Sequence, residues 1–126
     1  MSSDTDAVWC DNAEPCSDAD WSGEDKKPED ERYRVVREMS VQSMDPERLN
    51  SYGLYHAKGI YENWRRDIPE KRVVNLTRSG YTGIQKYGTI LWSGDICATY
   101  DTLRRQITEA IKMGLTGMPY WTLDIG

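Results

Sequence analysis

Four short apolar runs, separated by longer polar or amphipathic segments, set the pattern along this chain. Each run has the length of a strand and is rich in apolar, aromatic or β-branched residues, and together they cover residues 7–10, 73–77, 89–92 and 118–123. Short continuous runs of this kind, bounded by polar residues and glycines, are typical of buried strands. The pattern therefore predicts four short strands.

Two of the segments between these runs have the periodicity of helices. The first spans about residues 45–66, with Asp45 as a plausible N-cap and a proline directly after it. The second spans about residues 100–113, with apolar residues every four positions, and Gly114 stands where a left-handed C-cap would. We expect these two segments to be amphipathic helices.

The remaining segments carry weaker signals. Residues 12–28 are polar, acidic and punctuated by proline and glycine, so we expect a loop there. Residues 29–39 are highly charged, and this composition predicts only a short, weak helix.

The order of elements is strand, helix, strand, strand, helix, strand, which predicts an α/β fold with parallel strands and helical crossovers. A charged residue follows each predicted strand, namely Asp11, Arg78, Asp95 and Asp124. In barrels of alternating strands and helices, the carboxyl ends of the strands converge on one face and build the active site. We therefore expect these four side chains to line one pocket.

Composition narrows the possible functions. The net charge of −5 and the lack of a block rich in Lys or Arg argue against a nucleic-acid or an anionic-membrane partner. The first residues lack the pattern of a signal peptide, and no stretch reaches membrane-spanning length, so localisation stays open. The cysteines, Cys10, Cys16 and Cys97, are odd in number and form no close pair. We expect free, half-buried thiols rather than a disulfide framework or a zinc site.

The charged strand ends suit hydrolysis of a glycosidic bond. That reaction needs one carboxylate to attack the anomeric carbon or activate water and another to protonate the departing oxygen. Neighbouring strand ends could hold such a pair about 5 to 5.5 Å apart, the separation found in retaining enzymes. Trp9 and Trp92 stand close before two of the acids and could wall a sugar pocket, and Arg78 can donate a fork of hydrogen bonds.

Spacing alone does not assign a role to each Asp, and two other interpretations were weighed. Carboxylate oxygens would also suit magnesium or calcium, but the acidic segment 11–25 lacks the alternation and the glycine of a calcium loop, so no metal is expected. His56, the single histidine, lies on the first helix and is expected to be a partly buried surface residue rather than a catalytic one.

Four motifs in a fixed order resemble glycoside hydrolase family 31. Residues 9–15, Trp-Cys-Asp-Asn-Ala-Glu-Pro, resemble the nucleophile motif of the family, and residues 72–87, with Leu-Thr-Arg-Ser-Gly at their centre, resemble its arginine segment. Residues 92–95, Trp-Ser-Gly-Asp, match the acid/base motif, and residues 117–126 resemble the strand that follows, with its Asp-Ile-Gly ending. Together the motifs span nearly the whole chain.

The resemblance implies a retaining mechanism with Asp11 as the nucleophile and Asp95 as the general acid/base. Asp11 must be ionised to attack, and Asp95 must be protonated to release the aglycone before it serves as the base for incoming water. Glu14 would support the loop of the nucleophile. No metal or organic cofactor is implied.

The resemblance also implies how the sugar is held. Arg78 would bind hydroxyl groups in the first subsite beside Trp92, with Trp9 as a further wall. Asp124 would bind substrate or hold Arg78. The substrate would be an oligosaccharide or glycoside that carries an α-linked glucosyl or xylosyl residue at its non-reducing end, and loops outside this chain would decide between the two sugars.

The fold that the resemblance implies is an eight-stranded TIM barrel, the (β/α)8 fold, of which residues 1–126 would be an incomplete part. They would correspond roughly to strands four to seven with their helices, without the first three strands, the eighth strand and the β-sandwich domains. A partial barrel leaves strand edges unpaired, so we expect the isolated chain to be inactive. The alternatives are a non-catalytic sugar-binding remnant and a chain that does not fold stably.

Overall fold

A computed structural model describes residues 5–14 and 27–125, so the expectations for Cys16 and for most of the 12–28 loop lie outside the described residues. Four strands form one parallel sheet in the order β1-β2-β3-β4. They are β1 (Val8–Cys10), β2 (Asn75–Thr77), β3 (Thr89–Trp92) and β4 (Trp121–Thr122). The parallel pairing of all four strands confirms the predicted α/β class, although β1, β2 and β4 are shorter than the apolar runs that contain them.

Three α-helices accompany the sheet: α1 (Glu29–Ser43), α2 (Tyr52–Asp67) and α3 (Tyr100–Leu115). Helix α1 is longer than its charged sequence suggested. Three acidic residues in its first turn interact favourably with the positive end of the helix dipole. Arg34 also forms an ion pair of 3.1 Å with Glu38, one turn further along the helix. These local interactions favour a helix that the weak apolar periodicity did not reveal.

A 3-10 helix precedes α2 and begins with the predicted capping chemistry. The side chain of Asp45 accepts a hydrogen bond from the backbone N–H of Glu47 at 3.1 Å, as an N-cap should. However, residues Pro46–Ser51 form a 3-10 helix, and the α-helix begins only at Tyr52. The predicted helix is therefore real but divided into two parts.

The sheet has two chemically different faces because side chains alternate along each strand. The register aligns Trp9, Leu76 and Ile90 across the first three strands, and Trp92 shares their parity. We call this side the site face, since Asp11 and Arg78 continue its alternation. Residues of the other parity form the helix face: Val8, Cys10, Asn75, Thr77, Thr89 and Leu91.

Helix α2 covers the helix face and forms the core. Trp64 is fully buried and packs with Ile68 and Val73, with Val8 of β1 and Tyr61 of α2 against them. Tyr55, on the outer side of the same helix, is half exposed.

Helix α3 differs from the expectation in two ways. Gly114 lies within the helix, and the left-handed residue beyond its end is Gly117, with φ of 81°, so the C-cap prediction for Gly114 is wrong. The helix continues past Gly114 because nothing there requires a positive φ. The predicted apolar stripe, Leu103, Ile107 and Ile111, is exposed rather than packed, since no element of the described residues covers it.

Two glycines shape the short connection between β2 and β3. A 3-10 helix, Ile84–Tyr87, lies between Gly83 and Gly88, and both glycines have positive φ, of 92° and 65°. A Cβ atom at Gly88 would overlap the carbonyl oxygen of Val73. Gly88 therefore allows the chain to turn back into β3 against the start of β2.

The cysteines of the described residues are free, in line with the prediction, but only one is half-buried. Cys10 lies on β1, its thiol donates to Oδ1 of Asn75 at 3.2 Å, and burial raises the pKa of this thiol. Cys97 is exposed, so the expectation of a half-buried thiol is wrong for it, because its loop lies outside the packed layer.

Replacing Gly88 by alanine should lower the free energy of unfolding by about 1–3 kcal/mol, because the new Cβ meets a backbone carbonyl in a left-handed conformation. The matched control is Gly59→Ala in the interior of α2, where an added Cβ has open space, and a gain of roughly 0.5–1 kcal/mol is expected. Urea unfolding measures both changes. Equal effects of the two substitutions would contradict the described turn.

Iodoacetamide should modify Cys97 several-fold faster than Cys10 at pH 8, because burial raises the pKa of the Cys10 thiol and so reduces its thiolate fraction. Digestion before aspartate residues places the two cysteines in separate peptides, and mass spectrometry gives the rates. In denaturant the two rates should become similar. A Cys10 that reacts as fast as Cys97 under native conditions would be inconsistent with its place on β1.

Candidate active site

The carboxyl ends of the first three strands bring together residues that are far apart in the chain. Asp11 directly follows β1, Arg78 directly follows β2, and Asp95 lies three residues beyond the end of β3. Because the strands are parallel and adjacent, these ends lie side by side at one edge of the sheet. Three of the four predicted strand-end residues therefore meet.

The guanidinium of Arg78 is the centre of this cluster. Its Nη1 lies 3.4 Å from Oδ1 of Asp11 and 3.4 Å from Oδ1 of Asp95. Its Nε lies 2.6 Å from Oε1 of Glu14, as an ion pair rather than an aligned hydrogen bond. Three carboxylates thus surround one cation, and the cluster carries excess negative charge when all are ionised.

The shared nitrogen limits the distance between the two aspartates. Since both Oδ1 atoms lie 3.4 Å from the same Nη1, they cannot be further apart than twice that distance, about 6.8 Å. Carboxyl groups of retaining glycosidases stand about 5–5.5 Å apart, and those of inverting enzymes about 6.5–9.5 Å apart. This limit on the two Oδ1 atoms is compatible with the retaining separation of the carboxyl groups.

Two tryptophans form an aromatic wall beside the cluster. The Cζ atom of Arg78 lies 5.8 Å from the ring centroid of Trp92, and the rings of Trp92 and Trp9 meet edge to face with centroids 5.9 Å apart. Trp92 is only 4% exposed, whereas Trp9 is 66% exposed. Trp92 therefore supports the guanidinium from the site face, and Trp9 presents a free aromatic surface.

Two glycines allow the polypeptide to approach Arg78 closely. Gly94 has φ of 73°, and a Cβ there would lie 3.2 Å from Cδ of Arg78. Gly53, in the first turn of α2, packs so closely on Ser79 that a Cβ would lie 2.5 Å from its Oγ and 2.7 Å from its carbonyl oxygen. The loop after β3 thus lies against Arg78 itself, and α2 lies against the residue that follows it.

The fourth strand-end residue lies elsewhere. Asp124 is exposed and lines a groove of about 490 Å³ with residues of the loop before α3 and of its first turn, including Cys97, Tyr100 and Leu103. Within the described part of the chain, the ion-pair partners of Arg78 are Asp11, Glu14 and Asp95. Asp124 is not brought into this cluster.

Other candidate chemistry lies away from these residues. His56 is half-buried on α2 and stacks on Tyr52, with ring centroids 6.2 Å apart. Across residues 5–14 and 27–125, no three His, Cys, Asp or Glu side chains are arranged to hold a metal ion. Nor is any helix in those ranges long and apolar enough to cross a membrane.

Asn12 belongs to the cluster although its sequence position did not single it out. Its Oδ1 accepts a hydrogen bond from Nη2 of Arg78, and its backbone N–H donates to Oδ1 of Asp11 at 2.8 Å. The available signal was weak: asparagine tolerates a left-handed backbone and often follows a strand in a turn. Its contact with a residue 66 positions away requires the folded chain.

Known proteins are similar to this chain in both sequence and fold. Residues 1–126 match the TIM-barrel domain of the glycosyl hydrolases family 31. An alpha-xylosidase of Saccharolobus solfataricus is 48% identical over 80 residues, which are 64% of this chain and 11% of that protein. An alpha-glucosidase of the same organism is 34% identical over 77 residues, 61% of this chain and 10% of that protein.

A solved structure agrees with these relatives. The family 31 alpha-xylosidase from a soil metagenome, complexed with xylose, superposes with a TM-score of 0.57 at 39% identity, over 60% of this chain and 11% of that one. The chain thus spans about a tenth of the length of these relatives. Its four parallel strands and their helices are part of a family barrel, and the chain belongs to glycosyl hydrolase family 31.

Proposed function

We propose that this chain carries the catalytic pair of a retaining α-glycosidase, with Asp11 as nucleophile and Asp95 as general acid/base. The observation that carries this proposal is the nitrogen atom that the two carboxylates share, because it limits their separation to a range that includes the retaining geometry. Family membership supports the reaction class.

The mechanism follows from the two carboxylates. An oxygen of Asp11 attacks the anomeric carbon, the bond to the aglycone breaks, and the departing oxygen takes the proton of Asp95. Asp95, now ionised, removes a proton from water, which displaces Asp11 from the anomeric carbon and completes hydrolysis with retention. The excess of carboxylates around Arg78 suits the positive charge that develops on the sugar in the transition state of each step.

The substrate we propose is a glycoside with an α-linked xylosyl or glucosyl residue at its non-reducing end. Relatives named as an alpha-xylosidase and an alpha-glucosidase, and a family structure that contains xylose, support this class. Trp9 offers an open aromatic face for the C–H side of a sugar ring, and Arg78 offers donors to its hydroxyls. Asp124 would serve a neighbouring part of the substrate, since its groove lies beside the loop after β3.

We further propose that residues 1–126 form one continuous stretch of the catalytic barrel, corresponding to its fourth to seventh strands. Glu14 would support the nucleophile's loop through its ion pair with Arg78, which ties the residues after β1 to the end of β2. In this arrangement β1, β2 and β3 supply the two catalytic groups and the arginine between them.

The roles of the two aspartates can be separated by azide rescue in an enzyme that carries this sequence within a complete barrel. Asp11→Ala should abolish turnover of an aryl α-xyloside, and azide should restore part of it by direct attack, giving the β-xylosyl azide. Asp95→Ala should lower the rate about 10²–10⁴-fold, and azide should then give the α-xylosyl azide, because the covalent intermediate still forms. Product anomers are read by NMR. The same anomer from both variants would contradict the assignment.

The isolated chain supports a second candidate function, binding of a sugar without turnover. Asp11 and Asp95 are 46% and 75% exposed, so water reaches both carboxylates and the site is not enclosed as catalysis requires.

For the 126-residue chain alone, D-xylose should raise the unfolding temperature while aryl α-xylosides remain intact, because binding needs only the strand-end cluster. Arg78→Met should remove the stabilisation by xylose, whereas Arg104→Met, an exposed position on α3, should leave it unchanged. Differential scanning calorimetry with a parallel assay for released aryl alcohol tests both points. Release of the alcohol by the isolated chain would show that binding and turnover do not require the rest of a barrel.

A further inference from the structure

We infer that Asn12 is a positioning residue that sets the orientation of both Asp11 and Arg78, and that it leaves Oδ2 of Asp11 as the attacking oxygen. This inference rests on the proposed function of Asp11 as nucleophile. Asn12 directly follows the proposed nucleophile and takes no part in the making or breaking of bonds during the reaction.

The first observation is the backbone of Asn12. Its φ of 47° is left-handed, and among the described residues it is the one non-glycine position with a positive φ. Asparagine adopts this conformation at lower cost than most residues because its short polar side chain can bond locally. The N–H of Asn12, which lies in the peptide that enters this turn, donates to Oδ1 of Asp11, 2.8 Å away.

The second observation is the side chain of Asn12. Its Oδ1 accepts from Nη2 of Arg78. The other two nitrogens of the guanidinium already face carboxylates, Nε facing Glu14 and Nη1 facing Asp11 and Asp95. A planar guanidinium that is held at all three nitrogens cannot rotate about its Nε–Cζ bond without losing a partner. Asn12 therefore completes the orientation of Arg78.

The consequence for Asp11 is a difference between its two oxygens. Oδ1 receives the N–H of Asn12 and lies 3.4 Å from Nη1 of Arg78, so this oxygen is fixed by two donors. The described contacts of the carboxylate thus fall on Oδ1. Among residues 5–14 and 27–125, no hydrogen bond falls on Oδ2. In the proposed reaction Oδ2 forms the bond to the anomeric carbon as the bond to the aglycone breaks and Asp95 gives up its proton.

Three substitutions separate the two contributions of Asn12. Asn12→Gly keeps the left-handed backbone and the N–H but removes the acceptor for Arg78. Asn12→Ala removes the acceptor and also strains the left-handed backbone. Relief of this strain should shift the peptide between residues 11 and 12 and so lengthen the contact of its N–H with Asp11. Asn12→Asp keeps both an acceptor and a residue type that tolerates the turn. Asn50→Gly, at an exposed asparagine in the 3-10 helix before α2, is the matched control.

The experiment uses NMR of the 126-residue chain and needs no turnover. In Asn12→Gly, rotation about the Nε–Cζ bond of Arg78 should accelerate roughly tenfold or more, the factor expected for one hydrogen bond to a charged group, while the amide at position 12 stays protected from hydrogen exchange. In Asn12→Ala, both the Arg78 rotation and the exchange at position 12 should accelerate. Asn12→Asp and Asn50→Gly should leave both close to the parent values.

Unchanged Arg78 rotation in Asn12→Gly, or retained amide protection in Asn12→Ala, would overturn the inference. Because neither measurement involves sugar cleavage, the outcome is independent of whether Asp11 is the nucleophile. That role is tested by the azide products, so a failure of the proposed function and a failure of this inference are distinguishable. If Asn12→Ala does not fold, Asn12→Gly with Asn12→Asp still decides whether the side chain holds Arg78.

Discussion

One cation among three carboxylates is the interaction on which the rest of this site depends. Arg78 draws Asp11, Glu14 and Asp95 toward a single guanidinium, although Asp11, Arg78 and Asp95 each follow a different strand. Without that charge, the carboxylates would repel one another at this spacing. The guanidinium is also well shielded, with only 16% of its side chain exposed, so its interactions are screened less than those of surface ion pairs.

The parallel sheet makes this arrangement possible by separating two kinds of surface. On the helix face, Trp64, Ile68 and Val73 pack into the core, and the close contact of Gly53 with Ser79 transmits the position of α2 to the residue after Arg78. On the site face, Trp92 lies beneath the guanidinium. The two faces of the sheet thus support the arginine differently, Trp92 through direct contact and α2 through the neighbouring Ser79.

The apolar surfaces that are exposed to solvent can be understood from the family to which this chain belongs. Trp9 on β1 and the stripe Leu103, Ile107 and Ile111 on α3 are exposed, and both lie toward the outer strands of the described sheet. Parallel sheets are normally covered on both faces, and edge strands present unpaired backbone groups. In the longer relatives the same strands belong to a TIM-barrel domain. An open site face explains why the two catalytic candidates are exposed to water here.

Local patterns in the sequence determined much of the secondary structure of this protein and most of its candidate site. Apolar runs located all four strands, capping chemistry located the start of the helix at Asp45, and strand ends identified Asp11, Arg78 and Asp95, because these features depend on neighbours in the chain. The motifs around those residues also indicated the family, which the comparisons confirmed. The expected limits of α1 and the C-cap at Gly114 were wrong, because weak or competing local signals do not decide where a helix ends.

Only the tertiary structure decided which strand-end residues meet. Asp124 follows a strand as Asp95 does, yet it lies in a separate groove, whereas Asn12 joined the cluster through a contact with Arg78. Likewise, the apolar period of α3 predicted a helix but not the exposure of its stripe. The physical reason is the same in each case. The periodicity of apolar residues reports the conformation of one segment, whereas a contact between residues 66 positions apart depends on how the segments pack together.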